Sequence, residues 1–462
     1  MQNQEPILDK KKETVFTVVN SVKLDPKNPV PIQYNGDSFY VVSGKKYLPF
    51  LDKKDNLANL LLEARLTSTT QNSCIESIAQ SVIGKGMKIT DVENPETEFV
   101  NWLKCVNDKN KSIDYVLQAA LEGERTFGNQ FVEVTKFELN GKKFIKLHLH
   151  SFLFTRLSEP TEDEDEPTGV IISKLFAKKG YKKIDLEKSR VVPLWRDNII
   201  EKDKCWKKND DGSYSTMLHL KNEVSGIEHY GLPASISSLR NQVNEARGEQ
   251  YNLDNFENNM ILGGLLILKS AMTQEEAQET AKNILLSHVG EGKTGRIAVI
   301  SSEEGLKDVD FKPFETQKDG SFIELDKLTT SKIITANGWA KEFTVAESAG
   351  LGKGGAYLRS LWDLKEAMLL NPLRQKIIDE LVIPIVKIYA DFHDKKELLK
   401  YTFSFVSSMP FSFMGEVDPE TFMKVKEART LAGLDADEAN GEKYLSEMKS
   451  KTKDVQTKPP TT

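Results

Sequence analysis

A glycine-rich segment near the end of the chain, ESAGLGKGG (347–355), has the composition of a loop that could cradle a phosphate. Phosphate-binding loops follow the pattern Gly, four residues, then Gly-Lys-Ser/Thr. Aligning that pattern on Gly352 and Lys353 puts Glu347 at the first glycine and Gly354 at the hydroxyl position. Both positions fail, and the Glu347 carboxylate would repel a phosphate. We therefore predict a loop that binds no nucleotide.

Two further groups of residues could bind a cation. His148 and His150 alternate on a predicted strand and so share one face, but no third ligand is evident, which favours strand residues on a polar surface over a metal site. The segment EPTEDEDEPTG (159–169) places five consecutive carboxylates between two predicted strands, FTRL and GVIISKLFA. A solvated hairpin loop is favoured there. A cation site is the alternative, although the segment lacks the spacing and the glycine of a calcium loop.

The remaining chemistry-bearing residues form no recognisable constellation. Cys74, Cys105 and Cys205 make no CxxC or Cys/His pattern, which predicts reduced thiols, a cytoplasmic site of synthesis and no zinc site. No GxSxG elbow occurs. The sequence predicts no enzyme, no catalytic residue, no cofactor and no metal. It also shows no signal peptide and no apolar run of about 18 residues.

The charge balance limits how the chain could meet nucleic acid. The formal net charge is −6 over 462 residues. Proteins that hold DNA tightly usually carry a basic footprint. Any contact with DNA is therefore expected to be weak or local.

The elements that would position these residues are helices and strands in a mixed order. Alternating apolar residues over 31–54 predict strands, and apolar positions at three- and four-residue spacing over 55–83 and 96–126 predict helices. Asn140-Gly141 predicts a hairpin between two strands. The expected fold class is α+β.

Three long helices are predicted in the second half, over 230–259, about 319–342 and about 358–393. The first would span about 45 Å. Pro372 and Pro384 are expected to break or kink the third helix.

The first two long helices carry narrow apolar stripes, as in helices packed against neighbouring helices. The other faces of the first helix are rich in Asn and Gln, including Asn241 and Gln242. Between these helices, residues 261–316 predict a small α/β insert. The stripe residues are Leu232, Ile236, Leu239, Val243, Ala246, Leu253 and Met260 on the first helix, and Phe322, Leu325, Leu328, Ile333, Ala336 and Trp339 on the second.

Taken in order, four segments resemble the portal proteins of tailed bacteriophages. They resemble a helix that ends in glycine before a strand, a Gly-Asn strand start, a Tyr-Gly-x-Pro entry to a long helix, and the exit from that helix into an apolar strand. No single motif is specific to the family, and their order and spacing carry the resemblance. The segments are NSCIESIAQSVIGKGMKI (72–89), GERTFGNQFVEV (123–134), HYGLPASISSL (229–239) and FENNMILGGLLIL (256–268).

The resemblance covers roughly residues 55 to 395 and implies a portal-like architecture. It implies a mixed α/β wing, two long stem helices, a small α/β clip insert, a glycine-rich tunnel loop and a long wing helix. The implied divisions are a flexible N-terminal arm (1–30), wing (31–229), first stem helix (230–259), clip (260–317), second stem helix (318–343), tunnel loop (344–356), long wing helix (357–395), C-terminal wing or crown (396–448) and a disordered tail (449–462).

The resemblance also implies a function. Portal proteins form rings of about twelve identical subunits at one capsid vertex of the virion, and DNA passes through the ring during packaging and ejection. Implied partners are further copies of the chain, the large terminase motor, a head–tail adaptor, the major capsid or scaffold protein, and double-stranded DNA contacted without sequence specificity. The resemblance implies assembly in the host cytoplasm and no membrane partner.

The tunnel loop would line the narrowest part of such a channel. The residues implied to line it are Thr344, Glu347, Ser348, Gly350, Leu351, Gly352, Lys353 and Gly354. Many relatives have Phe-Gly-x-Pro where this chain has Phe343-Thr344-Val345-Ala346, so the path of its loop is not given by the family pattern.

Two alternatives stay open from the sequence. A nucleotide-dependent DNA motor subunit is disfavoured by the failed phosphate pattern. Another oligomeric virion adaptor is disfavoured by the length of the chain, because adaptors are usually much shorter.

Overall fold

The computed structural model describes residues 40–42, 45–52, 55–160, 166–177, 189–197, 204–258, 264–268, 309–313, 320–344, 355–408 and 424. Helices and strands alternate through these ranges, which confirms the mixed α and β character. The helices are α1 (Leu57–Thr67), α2 (Thr69–Ile83), α3 (Thr97–Leu103), α4 (Ile113–Phe127), α5 (Leu239–Asn258), α6 (Gly320–Ala336), α7 (Gly355–Lys365), α8 (Asn371–Ile377) and α9 (Ile383–His393).

The strands form small antiparallel sheets. The largest described sheet has the order β5-β4-β10-β9, and another has the order β6-β7-β8. The strands are β1 (Tyr40–Val42), β2 (Lys45–Tyr47), β3 (Met87–Thr90), β4 (Asn129–Leu139), β5 (Lys142–His150), β6 (Thr155–Leu157), β7 (Gly169–Ile172), β8 (Arg190–Pro193), β9 (Lys207–Lys208), β10 (Tyr214–Lys221), β11 (Gly264–Leu268), β12 (Val309–Pro313) and β13 (Thr402–Phe405).

Local signals in the sequence fix several of these boundaries. The predicted hairpin joins β4 to β5 with Leu139 opposite Lys142, and Asn140 and Gly141 both have positive φ. The acidic segment is also flanked by paired strands, because β6 and β7 are antiparallel neighbours. Its second flank is shorter than predicted, since Lys174–Ala177 is a 3-10 turn and not a strand.

The predicted helix over 55–83 is two helices, because Ser68 interrupts it. The backbone of Ser68 is extended, with φ −99° and ψ 107°, and its Oγ accepts a hydrogen bond from Gln71 N at 3.1 Å. A serine in this position caps the helix that follows by satisfying an orphan N–H group. Helix α2 therefore starts in a new direction.

Two large hydrophobic cores and a smaller one lie among the described residues. One lies between α2, α4, the four-stranded sheet and the residues 355–393, and it includes the fully buried Leu117, Val132 and Ile377. The other packs α1 against aromatic residues, and Phe50, Phe152 and Tyr230 meet there edge to face. Edge-to-face contacts are favourable for aromatic rings.

Helices α5 and α6 form a two-helix arm that leaves these cores. Strand β11 follows α5 in the chain and β12 precedes α6. The two strands pair antiparallel, with Gly264 opposite Pro313. The predicted helix and second strand of the insert lie in 269–308, outside the described residues. No helix in the described part of the chain is long and apolar enough to cross a membrane.

The arm helices are shorter than predicted. Pro233 has an extended backbone and Ala234–Ser238 is a 3-10 turn, so α5 begins at Leu239 and not at Tyr230. Helix α6 ends at Ala336, because Gly338 adopts φ +70°.

The predicted apolar stripes of the arm are only partly buried. Leu239 and Ile333 are buried, but Leu253, Leu325 and Leu328 are each about half exposed. The outer parts of both stripes therefore lie on the surface of the single chain.

A break at Pro372 or Pro384 is wrong, because residues 355–393 stay helical throughout, and a kink there stays a prediction. A π turn precedes each proline. Asn371 and Ile383 each donate their N–H to the carbonyl five residues back. In a π turn each N–H bonds to the carbonyl five residues back, so the pattern accommodates the N–H that proline lacks. The helix therefore continues. We call residues 355–393 the long helix.

Candidate functional site

Two of the segments that carried the family resemblance meet at the entrance to the arm. Asn129, the first residue of β4, donates from Nδ2 to Gly231 O at 2.8 Å and accepts from Gly231 N at 2.8 Å. Asn222 N donates to Gly128 O at 2.8 Å, and Leu232 N donates to Asn222 O at 3.1 Å. The Gly-Asn and Tyr-Gly-x-Pro segments are therefore one backbone junction.

His219 completes this junction on β10. Its Nε2 donates a hydrogen bond to Asn129 Oδ1 at 3.0 Å, and the ring lies over Phe131 with 4.4 Å between centroids. Burial, with the nearby Lys221 and Lys376 cations, lowers the pKa of His219 to about 3 from its ordinary 6.5. The His219 ring is therefore neutral in the folded chain near neutral pH.

This pKa predicts an acid-sensitive contribution to stability. Because the folded pKa is lowered, the contribution is present above pH 6.5 and is lost as pH falls from 6.5 towards 3. Between pH 7 and pH 5 the loss should be about 2 kcal/mol. We expect His219→Gln and His219→Phe to differ in stability at pH 7 but to share a weaker pH dependence than the wild type. Thermal unfolding at pH 5, 6 and 7 measures this, and an unchanged pH dependence would contradict it.

The base of the arm is fixed to helix α2 by one carboxylate. Glu245 of α5 is buried, and it accepts hydrogen bonds from Thr70 N at 3.2 Å, from Thr70 Oγ1 at 2.7 Å and from Ser68 Oγ. These groups form the N-terminus of α2, where a carboxylate is favoured by the orphan N–H groups and the helix dipole. Glu245 therefore holds the arm at a fixed position on α2.

Glu245→Ala should lower the free energy of unfolding by about 2–4 kcal/mol, because it removes charged hydrogen bonds and leaves buried donors unpaired. Glu249, one helical turn further along, is the matched control. Burial, with the Glu245 and Asp326 carboxylates, raises the pKa of Glu249, so its charge is unfavourable there. Glu249→Gln should be neutral or stabilising in the same thermal unfolding measurement. Equal losses for both variants would contradict the capping role.

A second set of buried amides joins both arm helices at the same place. Gln71 of α2 donates from Nε2 to Ser235 Oγ at 2.9 Å, and its Oε1 accepts from Asn337 Nδ2 at 2.7 Å. Ser235 precedes α5 and Asn337 follows α6, so the two helices run antiparallel from a common base. Arg125 of α4 adds a bond from Nη2 to Asn337 O at 2.9 Å.

The structure corrects one assignment within this set. Gln242 was expected on an exposed Asn- and Gln-rich face of the arm, but it is buried and donates to Ser238 Oγ at 3.1 Å. Its side chain therefore belongs to the polar base of the arm.

The segment that follows α6 holds one end of the glycine-rich loop. Trp339 and Phe343 pack edge to face against Trp362 of the long helix, with ring centroids 6.4 and 5.5 Å away. Ser73 Oγ donates to Thr344 O at 3.2 Å, and Lys365 Nζ donates to Gly338 O at 2.9 Å. Thr344, where the loop begins, therefore lies beside α2, and the long helix that follows the loop bonds to the segment after α6.

The long helix is itself fixed to the C-terminal end of α2. Arg374 is buried and donates to Val82 O at 2.9 Å, to Ser81 O at 3.0 Å and to Glu366 Oε1 at 2.7 Å. A guanidinium at a helix C-terminus satisfies orphan carbonyls and suits the helix dipole. Helix α2 is thus held at its N-terminus by the arm and at its C-terminus by the long helix.

Of the residues predicted to line a channel, Thr344 alone is described, at the end of the 3-10 turn Lys341–Phe343. The others, Glu347, Ser348, Gly350, Leu351, Gly352, Lys353 and Gly354, lie outside the described residues. Their role stays a prediction. The sequence did not predict Gln71, Asn337, Glu245 or Arg374, because each acts on a partner far away in the chain.

The other candidate ligands do not assemble into a metal site among the described residues. His148 and His150 face a surface cleft of about 960 Å³. His150 Nε2 lies 2.6 Å from Glu133 Oε2, and Arg190 Nη1 donates to Glu133 Oε1 at 2.8 Å. Burial raises the pKa of Glu133, but the bonds from His150 and Arg190 outweigh it and hold the pKa at about 2. This cluster is an ion-pair network.

The cysteines are free thiols, as predicted. Cys74 and Cys205 are buried, and burial raises the pKa of the Cys74 thiol to about 12. Cys105 is exposed. Of the five consecutive carboxylates, those at 162–165 lie outside the described residues, so the solvated loop and the alternative cation site both stay predictions.

Comparison with solved structures gives similarities of fold at low sequence identity. The neck of an empty gene transfer agent (GTA) particle, computed with C6 symmetry, matches 82% of this chain and 94% of its own chain at 13% identity and a TM-score of 0.48. The neck of the native GTA particle, computed with C12 symmetry, gives the same coverage and identity with a TM-score of 0.45.

A phage portal protein is also among the similar structures. The crystal structure of an HK97-family portal protein from Corynebacterium diphtheriae matches 78% of this chain and 96% of its own chain, at 11% identity and a TM-score of 0.39. It belongs to the class that the sequence resembles. No protein-family model and no curated protein matches the sequence.

Proposed function

We propose that this chain is a portal subunit of a phage-like particle, a non-enzymatic component that assembles into a ring around a DNA channel. The observation that carries the proposal is the shared base of the arm. Glu245, Gln71 and Asn337 hold two antiparallel helices on α2, and Thr344 fixes the start of the glycine-rich loop beside the same helix. A loop held in this way can present its residues at a defined radius in a ring.

The divisions of the chain follow in this proposal. Residues 230–259 and 318–343, which hold the arm helices, are the stem, and residues 260–317 are the clip. Residues 344–356 are the tunnel loop, and residues 357–395, which hold most of the long helix, belong to the wing. The clip would dock the large terminase motor during packaging and a head–tail adaptor afterwards. The wing would meet the capsid or scaffold protein, with the ring at one vertex of the virion after assembly in the host cytoplasm.

The charge of the chain supports weak contact with DNA. A net charge of −6 gives no strong attraction to phosphates. Asn244 is exposed near the base of the arm, and an amide can bond to a phosphate without an ion pair. Double-stranded DNA could then slide through the channel.

Electron microscopy of the purified full-length protein tests the proposal. We expect rings of about twelve subunits with a central hole. Analytical ultracentrifugation of the same sample should give one large species. A protein that stays monomeric at the highest concentration reached would contradict the proposal.

A further inference from the structure

A buried ion pair joins the segment before α1 to strand β6. Arg156 Nε donates to Asp55 Oδ1 at 2.8 Å, and Phe50 N donates to the same oxygen at 3.0 Å. Asp55 is 2% exposed and Arg156 is 0% exposed. Burying charged groups costs free energy unless hydrogen bonds satisfy their donors and acceptors. Every polar atom of this pair therefore needs a partner.

Two polar atoms of the pair have no partner in the described part of the chain. Arg156 Nη1 donates to Phe152 O at 2.9 Å and to Thr155 O at 2.7 Å, which satisfies both of its N–H groups. Asp55 Oδ2 accepts no hydrogen bond there, and Arg156 Nη2 donates none. Arginine and a carboxylate often pair through two parallel bonds, but here Nε and Oδ1 make a single one. One acceptor and one donor of the same ion pair are left over.

Aromatic side chains surround these two atoms. Arg156 Cζ lies 5.4 Å from the centroid of the Phe152 ring and 5.2 Å from that of the Phe176 ring. Tyr47 packs edge to face on Phe176, with 4.8 Å between centroids. Burial, with the nearby Asp55 carboxylate, raises the pKa of the Tyr47 hydroxyl to about 12. The hydroxyl therefore keeps its proton and is a third polar group at this place.

The two leftover atoms select the chemical class of a ligand. Arg156 Nη2 needs an acceptor, whereas Asp55 Oδ2 needs a donor. A simple anion would suit the guanidinium but would be repelled by the carboxylate, and a metal cation would suit the carboxylate but would be repelled by the guanidinium. Water is neutral and both donates and accepts hydrogen bonds. Buried waters typically bond to about three polar groups that have no other partner.

We propose that the Asp55–Arg156 ion pair binds one structural water molecule, which donates to Asp55 Oδ2 and accepts from Arg156 Nη2. The Tyr47 hydroxyl is its third partner. The water completes the hydrogen bonds of two charges that lie 101 positions apart in the chain. The proposed function plays no part in this inference, because every group of the site belongs to one chain.

A high-resolution structure of the full-length protein, in which ordered waters are visible, tests the site. We expect one density peak at hydrogen-bond distance, about 2.5–3.2 Å, from both Asp55 Oδ2 and Arg156 Nη2. A direct bond between these two atoms, with no peak, would overturn the inference. A halide at the same position would also overturn it, and a crystal grown in bromide would show a halide by its anomalous scattering.

The double variant Asp55→Asn/Arg156→Leu is the control for this peak. It removes both charges together, because Arg156→Leu alone would leave a buried carboxylate without its cation and is expected to fold poorly. Asparagine also tolerates the positive φ of 49° at position 55. The peak should be absent from the double variant, since the guanidinium and the second carboxylate oxygen are gone. A peak of unchanged height would mean that other groups hold the water, and the inference would be wrong.

Discussion

Replacing Gly128 with alanine is expected to destabilise the chain severely. Gly128 has φ +75°, and a Cβ there would lie 2.2 Å from the Leu232 carbonyl carbon and 2.4 Å from the Leu232 Cα. These are backbone atoms, so the clash cannot be relieved by a rotamer change. The start of β4 would have to separate from the entrance to the arm, breaking the hydrogen bonds between Asn129 and Gly231.

The size of this effect follows from two separate costs. A left-handed backbone costs about 1–2 kcal/mol for a residue with a Cβ, and forcing an atom into a packed interior costs about 1–3 kcal/mol or more. The sum of roughly 2–5 kcal/mol is a large share of the roughly 5–15 kcal/mol of a typical domain. We expect little soluble protein, or a greatly lowered thermal unfolding midpoint.

Gly141→Ala separates the two costs. Gly141 has φ +74°, almost the same as Gly128, but a Cβ there would meet nothing within 4 Å. The free energy of unfolding of this control should fall by about 1–2 kcal/mol, the cost of the left-handed backbone alone. Both variants must be measured at one protein concentration, because ring formation would make the midpoint depend on concentration. Equal losses would show that the close approach to Leu232 is unimportant.

The contact at Gly128 also explains why individually weak motifs were informative together. The Gly-Asn segment and the Tyr-Gly-x-Pro segment lie about a hundred residues apart, yet Asn129 bonds to both the N–H and the carbonyl of Gly231. A glycine is needed at 128 because the Leu232 backbone passes so close. The order of the motifs reflects a shared structural junction.

Features with local causes could be predicted from the sequence. Asn140-Gly141 marks a hairpin because its residues tolerate positive φ, and the apolar spacing of α4 reports its buried face. The apolar periodicity predicted the wrong exposure for parts of the arm, because it counts every Asn and Gln side chain as exposed and every stripe residue as buried. Gln242 is buried, whereas Leu253 is exposed.

Features that depend on distant partners could not be predicted. In the sequence, Glu245 is one of several charged residues on a long helix. It caps α2 because it bonds to Thr70, which lies 175 residues away in the chain. Arg374 likewise acts on carbonyls at the far end of α2. The prolines of the long helix misled because their standard effect assumes an unbroken α ladder, and the π turns change it.

Removing the centre of the glycine-rich loop should abolish DNA packaging while the ring still forms. The deletion of residues 349–354 leaves two contacts in place: Ser73 holds Thr344 at the start of the loop, and Lys365 of the long helix bonds to Gly338. We expect the subunit contacts of the proposed ring to lie outside this loop, so that assembly does not need it. Packaging does, since the loop would line the narrowest part of the channel.

Length and chemistry of the loop can be distinguished by a matched variant. Replacing residues 349–354 with six serine and glycine residues keeps the reach of the loop and removes Leu351 and Lys353. If this variant packages DNA while the deletion does not, the loop acts by narrowing the channel. If both fail, Leu351 or Lys353 contacts the DNA or a neighbouring loop. Loss of the ring in the deletion, seen by electron microscopy, would instead make the loop a structural element and contradict its assignment as a tunnel loop.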